Sequence, residues 1–305
     1  MFKAILQLLI LLLINQVSIA QMDNPIIHGN SDTISIELTE YNNIAIEAVL
    51  NEKDTLTLML HTAINEVSLT KAATAKMSSI KYTHTGSVKS WGGDSESRSS
   101  ENNILEIGDF KWSNVSIWES EHSGHKTDGK SGLNLFEDKI VELNFEKQYM
   151  VIHSDLPEII GSYDKLNIVL ENGLMFIEGD CKIGKDVFTN RFLIHSGYSG
   201  SILLDDEFVS QTRVGERVKA ISESTLKDSH GNELKTINAI LPYFQIGENE
   251  FSDVSIGFFE GSIDRQKMSV LGGDILKRFN VIFDQKNLNI YLRPNQFLGM
   301  PFSKR

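Results

Sequence analysis

The chain has 305 residues, a formal net charge of −12 and a single cysteine, Cys181. The excess of acidic residues argues against nucleic-acid binding, because phosphate contacts need a basic surface. One cysteine excludes an intrachain disulfide, and the length is sufficient for two domains of ordinary size.

The first 20 residues are typical of a cleavable signal peptide. Lys3 supplies the positive start, residues 4–14 are apolar except for Gln7, and small residues end the segment at Ala20. The alternative is a membrane anchor, but the apolar run is shorter than the roughly 20 residues that span a bilayer. We therefore expect cleavage after Ala20 and a secreted or periplasmic mature protein that does not contact the membrane.

Short alternating runs follow along the chain, separated by Gly, Asn or Asp, and they predict strands. The clearest are ISIELTE, IAIEAVL, LTLML, KLNIVL, LMFIEGD, RFLIH and VIFD. Helical patterns are few, and the best are at residues 69–77 and 273–279. The sequence therefore predicts an all-β (mainly β) protein with a few short helices.

Three blocks of sequence occur twice and in the same order. LMLHTAINEVSL recurs as FLIHSGYSGSIL, which puts His61 and His195 at the same point of the repeat, 134 residues apart. LEIGDFKWSNVSIWES recurs as FQIGENEFSDVSIGFFE at an offset of 139, and GLNLFEDKIVELNF recurs as GGDILKRFNVIFDQ at an offset of 140. The order predicts a duplicated lobe, with an N-terminal lobe at 25–157, a C-terminal lobe at 162–305 and a cleft between them.

The second copy resembles the two-lobed aspartic peptidases, a family with pepsin-like and retropepsin-like members. FLIHSGYSGSIL is similar to the family's apolar strand and turn, and VLGGDILKRF is similar to its partner segment. The first copy fits less closely, with Ala63 in place of Gly and Lys130–Ser131 where two apolar residues are usual. The resemblance covers about residues 34–294. It implies two pseudo-symmetric pepsin-like lobes and a central cleft that binds a peptide or protein ligand.

Both copies depart from the family at the residue that defines its activity. The family carries two carboxylates that share a proton, one activating water while the other polarises the scissile carbonyl. His61 and His195 stand at those positions, so ordinary aspartic proteolysis is not supported. The turns around them are family-like at Thr62, Ser196 and Gly197. In the family, the hydroxyls equivalent to Thr62 and Ser196 form a hydrogen-bond lattice beneath the catalytic pair.

A hairpin is predicted at residues 87–97, where the family carries a flap over its cleft. Gly92 and Gly93 supply the turn, and Trp91 precedes them. We expect Trp91, Gly92 and Gly93 to overhang the cleft and Trp91 to pack against whatever binds there. The alternative is a surface loop with one exposed aromatic residue.

Three functions remain open for the His61/His195 pair. The favoured one is a peptide-binding cleft without chemistry, in which the imidazoles satisfy hydrogen bonds of the turns. The second is an unconventional hydrolase, with one neutral imidazole as general base and the other, protonated, as electrophile. Like-charge repulsion favours that split, so we expect the pair to carry one proton or none at neutral pH.

The third function is a metal site for zinc or another divalent ion. Two imidazoles are too few for tight zinc binding, and a third ligand would be needed. His122 and His125 in EHSGHKTDG offer one only weakly, because the segment has the composition of a solvated polar loop. The favoured function needs no cofactor, and we expect a monomer.

Overall fold

Strands with one buried face dominate the structure, a computed structural model that describes residues 26–27, 33–90, 93–227, 233–259 and 266–303. They form two β barrels with a few short helices, which confirms the predicted mainly β fold of two lobes. The expected signal peptide at 1–20 lies outside the described residues. Within those residues, no helix has the length and apolar character needed to cross a bilayer.

The first lobe is built from the strands and helices that precede residue 154. Its elements in chain order are β1 (Ile26–Ile27), β2 (Thr33–Leu38), β3 (Ile44–Leu50), β4 (Asp54–Leu60), β5 (Val67–Thr70), α1 (Lys71–Thr74), β6 (His84–Ser90), β7 (Gly93–Ile107), β8 (Phe110–Ser120), β9 (Gly129–Ser131), a 3-10 helix (Leu133–Phe136), β10 (Ile140–Asn144) and β11 (Tyr149–His153).

A 3-10 helix at Glu158–Ser162 lies between the lobes. The elements of the second lobe in chain order are β12 (Asp164–Asn167), β13 (Val169–Glu171), β14 (Leu174–Ile183), β15 (Asp186–His195), β16 (Ile202–Leu203), α2 (Asp206–Thr212), α3 (Val214–Arg217), β17 (Lys219–Lys227), β18 (Glu233–Ile246), β19 (Asn249–Phe259), β20 (Ser269–Gly272), α4 (Gly273–Leu276), β21 (Phe279–Asp284) and β22 (Asn289–Pro294).

The two lobes repeat one set of strand pairings. In the first lobe, β4 pairs in parallel with β9, β9 antiparallel with β5, and β5 in parallel with β8. In the second lobe, β15, β20, β16 and β19 pair in the same order and the same directions. The registers also match, since Ser68 lies opposite Lys130 in one lobe and Leu203 opposite Val270 in the other. The repeated sequence blocks therefore correspond to repeated structure.

A six-stranded part of the larger sheet joins the lobes. Its order is β12, β22, β21, β10, β11, β2, so the last strands of the two lobes pair with each other. At the junction, Ile140 of β10 lies opposite Asp284 of β21. One hydrophobic core runs through both lobes, from Ile34 to Leu292. Burial of this shared apolar surface is the main force that holds the lobes together.

The helix predicted at residues 69–77 is wrong in its first part. Leu69 is a buried residue of β5, and α1 covers only four residues. Thr70 ends the strand and caps the helix, because its side-chain oxygen accepts a hydrogen bond from Ala73 N. Pairing with β8 and β9 satisfies the backbone of Leu69 and Thr70, and it overrides the helical pattern.

The helix predicted at residues 273–279 is also shorter than expected. It ends as α4 at Leu276, because Phe279 already pairs with Pro294 as the first residue of β21. The sequence pattern missed α2, although its capping residue is visible. Asp205 accepts a hydrogen bond from Phe208 N at 2.7 Å, as an N-cap residue does.

A fully buried arginine fastens the C-terminal segment to the second lobe. Arg278 follows α4, and its guanidinium donates to four backbone carbonyls of that segment, those of Phe297, Leu298, Met300 and Pro301. It also lies 3.5 Å from Asp274 Oδ1 and over the ring of Phe302. An arginine does not lose its proton in a protein, so these acceptors make its burial tolerable.

Replacing Arg278 by Met is expected to lower the free energy of unfolding by about 3 kcal/mol or more, because the carbonyls and Asp274 lose a buried charged partner. Urea denaturation measures the change. The control is Arg213→Met, whose ion pair with Glu216 is mostly exposed (70% and 63%) and should cost under about 1 kcal/mol. Equal losses in the two variants would contradict the structural role of Arg278.

Candidate functional site

Two equivalent strands deliver the histidines to the same place. His61 directly follows β4, and its backbone N–H donates to Ser131 O at 2.9 Å. His195 ends β15, opposite Gly272 of β20. The carbonyl of His61 accepts a hydrogen bond from Ile64 N at 3.4 Å, and the carbonyl of His195 accepts one from Tyr198 N at 3.1 Å. Each histidine thus opens a tight turn.

The two turns are tied to each other by reciprocal hydrogen bonds. Thr62 N donates to Ser196 Oγ, and Ser196 N donates to Thr62 Oγ1, both at 3.0 Å. The Thr62 hydroxyl donates to Ile194 O at 2.7 Å, and the Ser196 hydroxyl donates to Leu60 O at 2.6 Å. Each hydroxyl therefore bonds the strand of the opposite lobe, with pseudo-twofold symmetry, and both residues are buried.

The structure brings the two imidazoles into contact. The ring centroids of His61 and His195 lie 4.5 Å apart, with 55° between the ring planes. Ala63 N donates to His61 Nδ1 at 3.2 Å, so a neutral His61 carries its proton on Nε2. His195 Nδ1 is buried and has no hydrogen-bond partner among the described residues. Gly197 lies against the His61 ring so closely that a Cβ there would overlap it.

Burial lowers the pKa of both histidines. The pKa of His61 lies well below its usual value, through burial first and then the positive charges of His195 and Lys130. The pKa of His195 falls to about 4, through burial and then the charge of Lys130. Lys130 is itself a buried residue of β9. Both imidazoles are therefore neutral at neutral pH.

Two asparagines link the first lobe to the turn that carries His195. Asn43 Nδ2 donates to the carbonyls of Ser196 and Gly197, at 3.2 Å and 3.3 Å. Asn42 Nδ2 donates to Ser199 O at 2.7 Å. The sequence interpretation missed both residues. Their only local signal is the turn between β2 and β3, where Asn42 has a positive φ of 62° that Asn tolerates well.

The hairpin expected at residues 87–97 is formed by β6 and β7. These strands pair antiparallel as far as Ser90 and Gly93, and Gly93 is the first residue of β7. Trp91 and Gly92 lie outside the described residues. The placement of Trp91, Gly92 and Gly93 over the cleft therefore stays a prediction.

His122 and His125, the other histidines considered as metal ligands, do not belong to a group of three ligand side chains in the described residues. His122 is exposed. His125 Nε2 lies 3.3 Å from Glu40 Oε1, and its ring lies 4.6 Å from that of Tyr41. Within the part of the chain that the structure describes, no three His, Cys, Asp or Glu side chains are grouped to hold a metal. The metal hypothesis therefore depends on His61 and His195 alone.

Comparison with known proteins identifies the fold. No family model matches the chain, and no curated protein matches its sequence. Its structure is similar to 395 chains of solved structures. One is the crystal structure of aspartic proteinase from Irpex lacteus, with a TM-score of 0.60 and 12% identity, covering 89% of this chain and 99% of the other. The chain has an aspartic-proteinase-like fold. At this identity, the similarity establishes the fold alone.

Replacing Thr62 by Val is expected to lower the free energy of unfolding by about 1–3 kcal/mol, because Ser196 N–H and Ile194 O lose their buried partner while the side-chain shape is kept. Urea denaturation checks the value. Thr55→Val, on an exposed position of β4, is the matched control and should have little effect. A Thr62→Val protein as stable as the control would show that the lattice does not hold the lobes.

The buried histidines should also make stability pH-dependent. Unfolded imidazoles bind protons below about pH 6.5, whereas native His195 stays neutral down to about pH 4. The pKa of native His61 also lies well below 6.5. The unfolded state therefore binds more protons in this window, and the free energy of unfolding falls as the pH is lowered through it. The contribution of His195 to this fall in the free energy of unfolding is about 3 kcal/mol.

Urea denaturation at several pH values between 7 and 4 measures this slope. His195→Gln should flatten the slope relative to the unchanged chain, whereas His84→Gln, at an exposed position, should leave it as it is. Carboxylates titrate in all three proteins alike, so the comparison isolates His195. An unchanged slope in His195→Gln would contradict the lowered pKa.

Proposed function

We propose that the chain binds a peptide or other extended ligand between its lobes without cleaving it by aspartic chemistry. In this proposal, His61 and His195 occupy the positions at which aspartic peptidases carry their catalytic Asp pair. One observation carries the proposal, the pair of imidazoles 4.5 Å apart at the ends of equivalent strands. Its support is the aspartic-proteinase-like fold, in which these two strands meet between the lobes.

The charge state of the pair argues against the aspartic mechanism. That mechanism needs two groups that share one proton at the working pH. Both imidazoles here are neutral at neutral pH, because burial lowers both pKa values. Neither ring then carries the positive charge that would polarise a carbonyl. A neutral imidazole does suit a binding cleft, since His61 Nδ1 accepts the Ala63 N–H without placing a charge in the interior.

One observation favours a hydrolase as a second candidate. The charge of Lys130 acts on both His61 and His195. A neutral imidazole as general base beside a buried ammonium would combine proton abstraction with stabilisation of an oxyanion. The same positive charge opposes a divalent cation at the rings, so the metal function has less support.

We further propose that the mature protein is exported and monomeric. The support for export is the signal-like composition of residues 1–20, and the acidic net charge agrees with a soluble exported protein that does not bind nucleic acid. A ligand for such a cleft is then an extracellular or periplasmic peptide or protein segment.

A peptide screen that scores binding and cleavage together tests the proposal. The chain starting at Gln21 is incubated with a random octapeptide library at pH 5 to 8, and bound peptides and new products are identified by mass spectrometry. We expect enriched peptides that are recovered intact, and no products. Enrichment should fall in a His61→Ala/His195→Ala double variant and persist in His84→Ala, which changes an exposed histidine.

The other outcomes separate the remaining functions. Products that form with the unchanged chain, and are lost in the double variant but not in His84→Ala, would replace the proposal by the hydrolase. Products that a chelator abolishes would favour the metal site. A screen with neither enrichment nor products would contradict the peptide-binding function.

A further inference from the structure

The matching registers identify equivalent positions on one face of each lobe. This face is the side of the sheet that points away from the shared core and reaches the histidine turns. In the first lobe, direct strand neighbours on this face are Ala45, Met59, Lys130 and Ser68. Their equivalents in the second lobe are Phe176, Leu193, Val270 and Leu203. We call these sets the N-lobe face and the C-lobe face.

The C-lobe face is apolar. Its four residues form a separate buried cluster with Phe259, at the end of β19. Ala63 and Tyr198, from the two histidine turns, pack against this cluster, so it extends to the His61/His195 pair. Leu226 and Leu234 of the hairpin β17–β18 also cover it. An apolar side chain of a ligand could displace Leu226 and Leu234 from this cluster. The exchange would break no side-chain hydrogen bond and would keep the apolar surface of the cluster away from water.

The N-lobe face is polar at two of the four equivalent places. Lys130 takes the place of Val270 and is only 8% exposed, and Ser68 takes the place of Leu203. The Ser68 hydroxyl is buried and has no hydrogen-bond partner within the described residues. A buried hydroxyl without a partner costs free energy, so an acceptor on a ligand would be favoured there.

A second unpartnered hydroxyl continues the N-lobe face. Ser68 lies opposite Trp118 of β8, and Ser120 follows two residues later on that strand. Ser120 is therefore equivalent to Phe259 of the second lobe, which follows Gly257, the residue opposite Leu203. Its hydroxyl is also buried and has no hydrogen-bond partner among the residues that the structure describes. Ser120 also borders a cavity of about 370 Å³ that is lined by charged residues of both signs, Lys71 and Arg98 together with Glu96, Glu119 and Glu121. The polar positions are therefore Lys130 and Ser68, with Ser120 beside them, whereas Ala45 and Met59 of the same face are apolar.

On the basis of the proposed function, we propose that the cleft selects ligands with two neighbouring groups of different chemistry. An acidic side chain lies on the N-lobe face, where the Lys130 ammonium and the Ser68 hydroxyl donate to its carboxylate. An apolar side chain lies on the C-lobe face, against Leu203 and Val270. Hydrogen bonds between charged partners are stronger than neutral ones, so an amide is a poorer ligand group than a carboxylate here.

The selectivity is tested with labelled octapeptide sublibraries in which two adjacent positions are fixed and six are random. The fixed pairs are Glu with Leu, Gln with Leu, Lys with Leu, and Glu with Ser, each made in both orders. Fluorescence polarisation with the chain starting at Gln21 gives the affinity of each sublibrary. We expect Glu with Leu to bind about tenfold or more tightly than the other three pairs.

Two comparisons assign the selectivity to its residues. Lys130→Met should remove the preference for Glu over Gln and keep the preference for Leu over Ser, whereas Lys165→Met, at an exposed position of β12, should keep both. Ser68→Ala, which removes the second proposed donor to the carboxylate, should likewise reduce the Glu preference and leave the Leu preference. This second measurement holds even if Lys130→Met does not fold.

The inference is overturned if Gln with Leu binds as tightly as Glu with Leu, if the Glu preference survives in a folded Lys130→Met protein, or if Ser68→Ala leaves that preference unchanged. Binding that shows no preference for Glu refutes the selectivity and leaves the peptide-binding function standing. Failure of every sublibrary to bind refutes the peptide-binding function, and the inference with it.

Discussion

The centre of this protein depends on the hydrogen bonds that Thr62 and Ser196 exchange beneath the two histidines. Each backbone N–H donates to the hydroxyl of the other residue, and each hydroxyl donates to a strand carbonyl of the opposite lobe. Because these groups are buried, a shift of one lobe against the other would leave them unpaired, at about 1–3 kcal/mol each. The lattice therefore fixes the two turns, and the rings of His61 and His195 follow from the turns.

The fixed position of the rings then determines their protonation. Burial disfavours the charged form of any group, so it raises the pKa of a carboxyl towards neutral pH and lowers the pKa of an imidazole away from it. A buried carboxyl pair can therefore share one proton near neutral pH, whereas a buried histidine pair stays neutral. The nearby charge of Lys130 acts in the same direction on His61 and His195.

The sequence predicted the parts of the fold that depend on local pattern. Alternation located part of the strands, among them β2, β3, β4, β14, β15 and β21. The similar offsets of 134 to 140 residues put His61 and His195 at equivalent points of two lobes. Tertiary pairing could not be inferred in this way. Leu69 belongs to β5 because β8 and β9 lie on either side of it. The unusual Lys130 was visible in the sequence, but its effect on both rings depends on the pairing of β9 with β4. The contacts of Asn42 and Asn43 across the lobes have no local signal either.

Duplication produces a symmetric backbone, but a peptide ligand has a direction and different side chains along its length. A perfectly twofold cleft would bind such a ligand equally well in two opposite orientations. In the proposed function, the two faces beside the histidines would remove this ambiguity, because Lys130 and Ser68 lie on one face while Val270 and Leu203 lie on the other. Reversing the ligand would bury a carboxylate against apolar side chains and an apolar group against unpaired hydroxyls, and both placements cost free energy. If the proposed function holds, divergence at a few positions of the repeat is therefore sufficient to give the bound ligand a defined orientation.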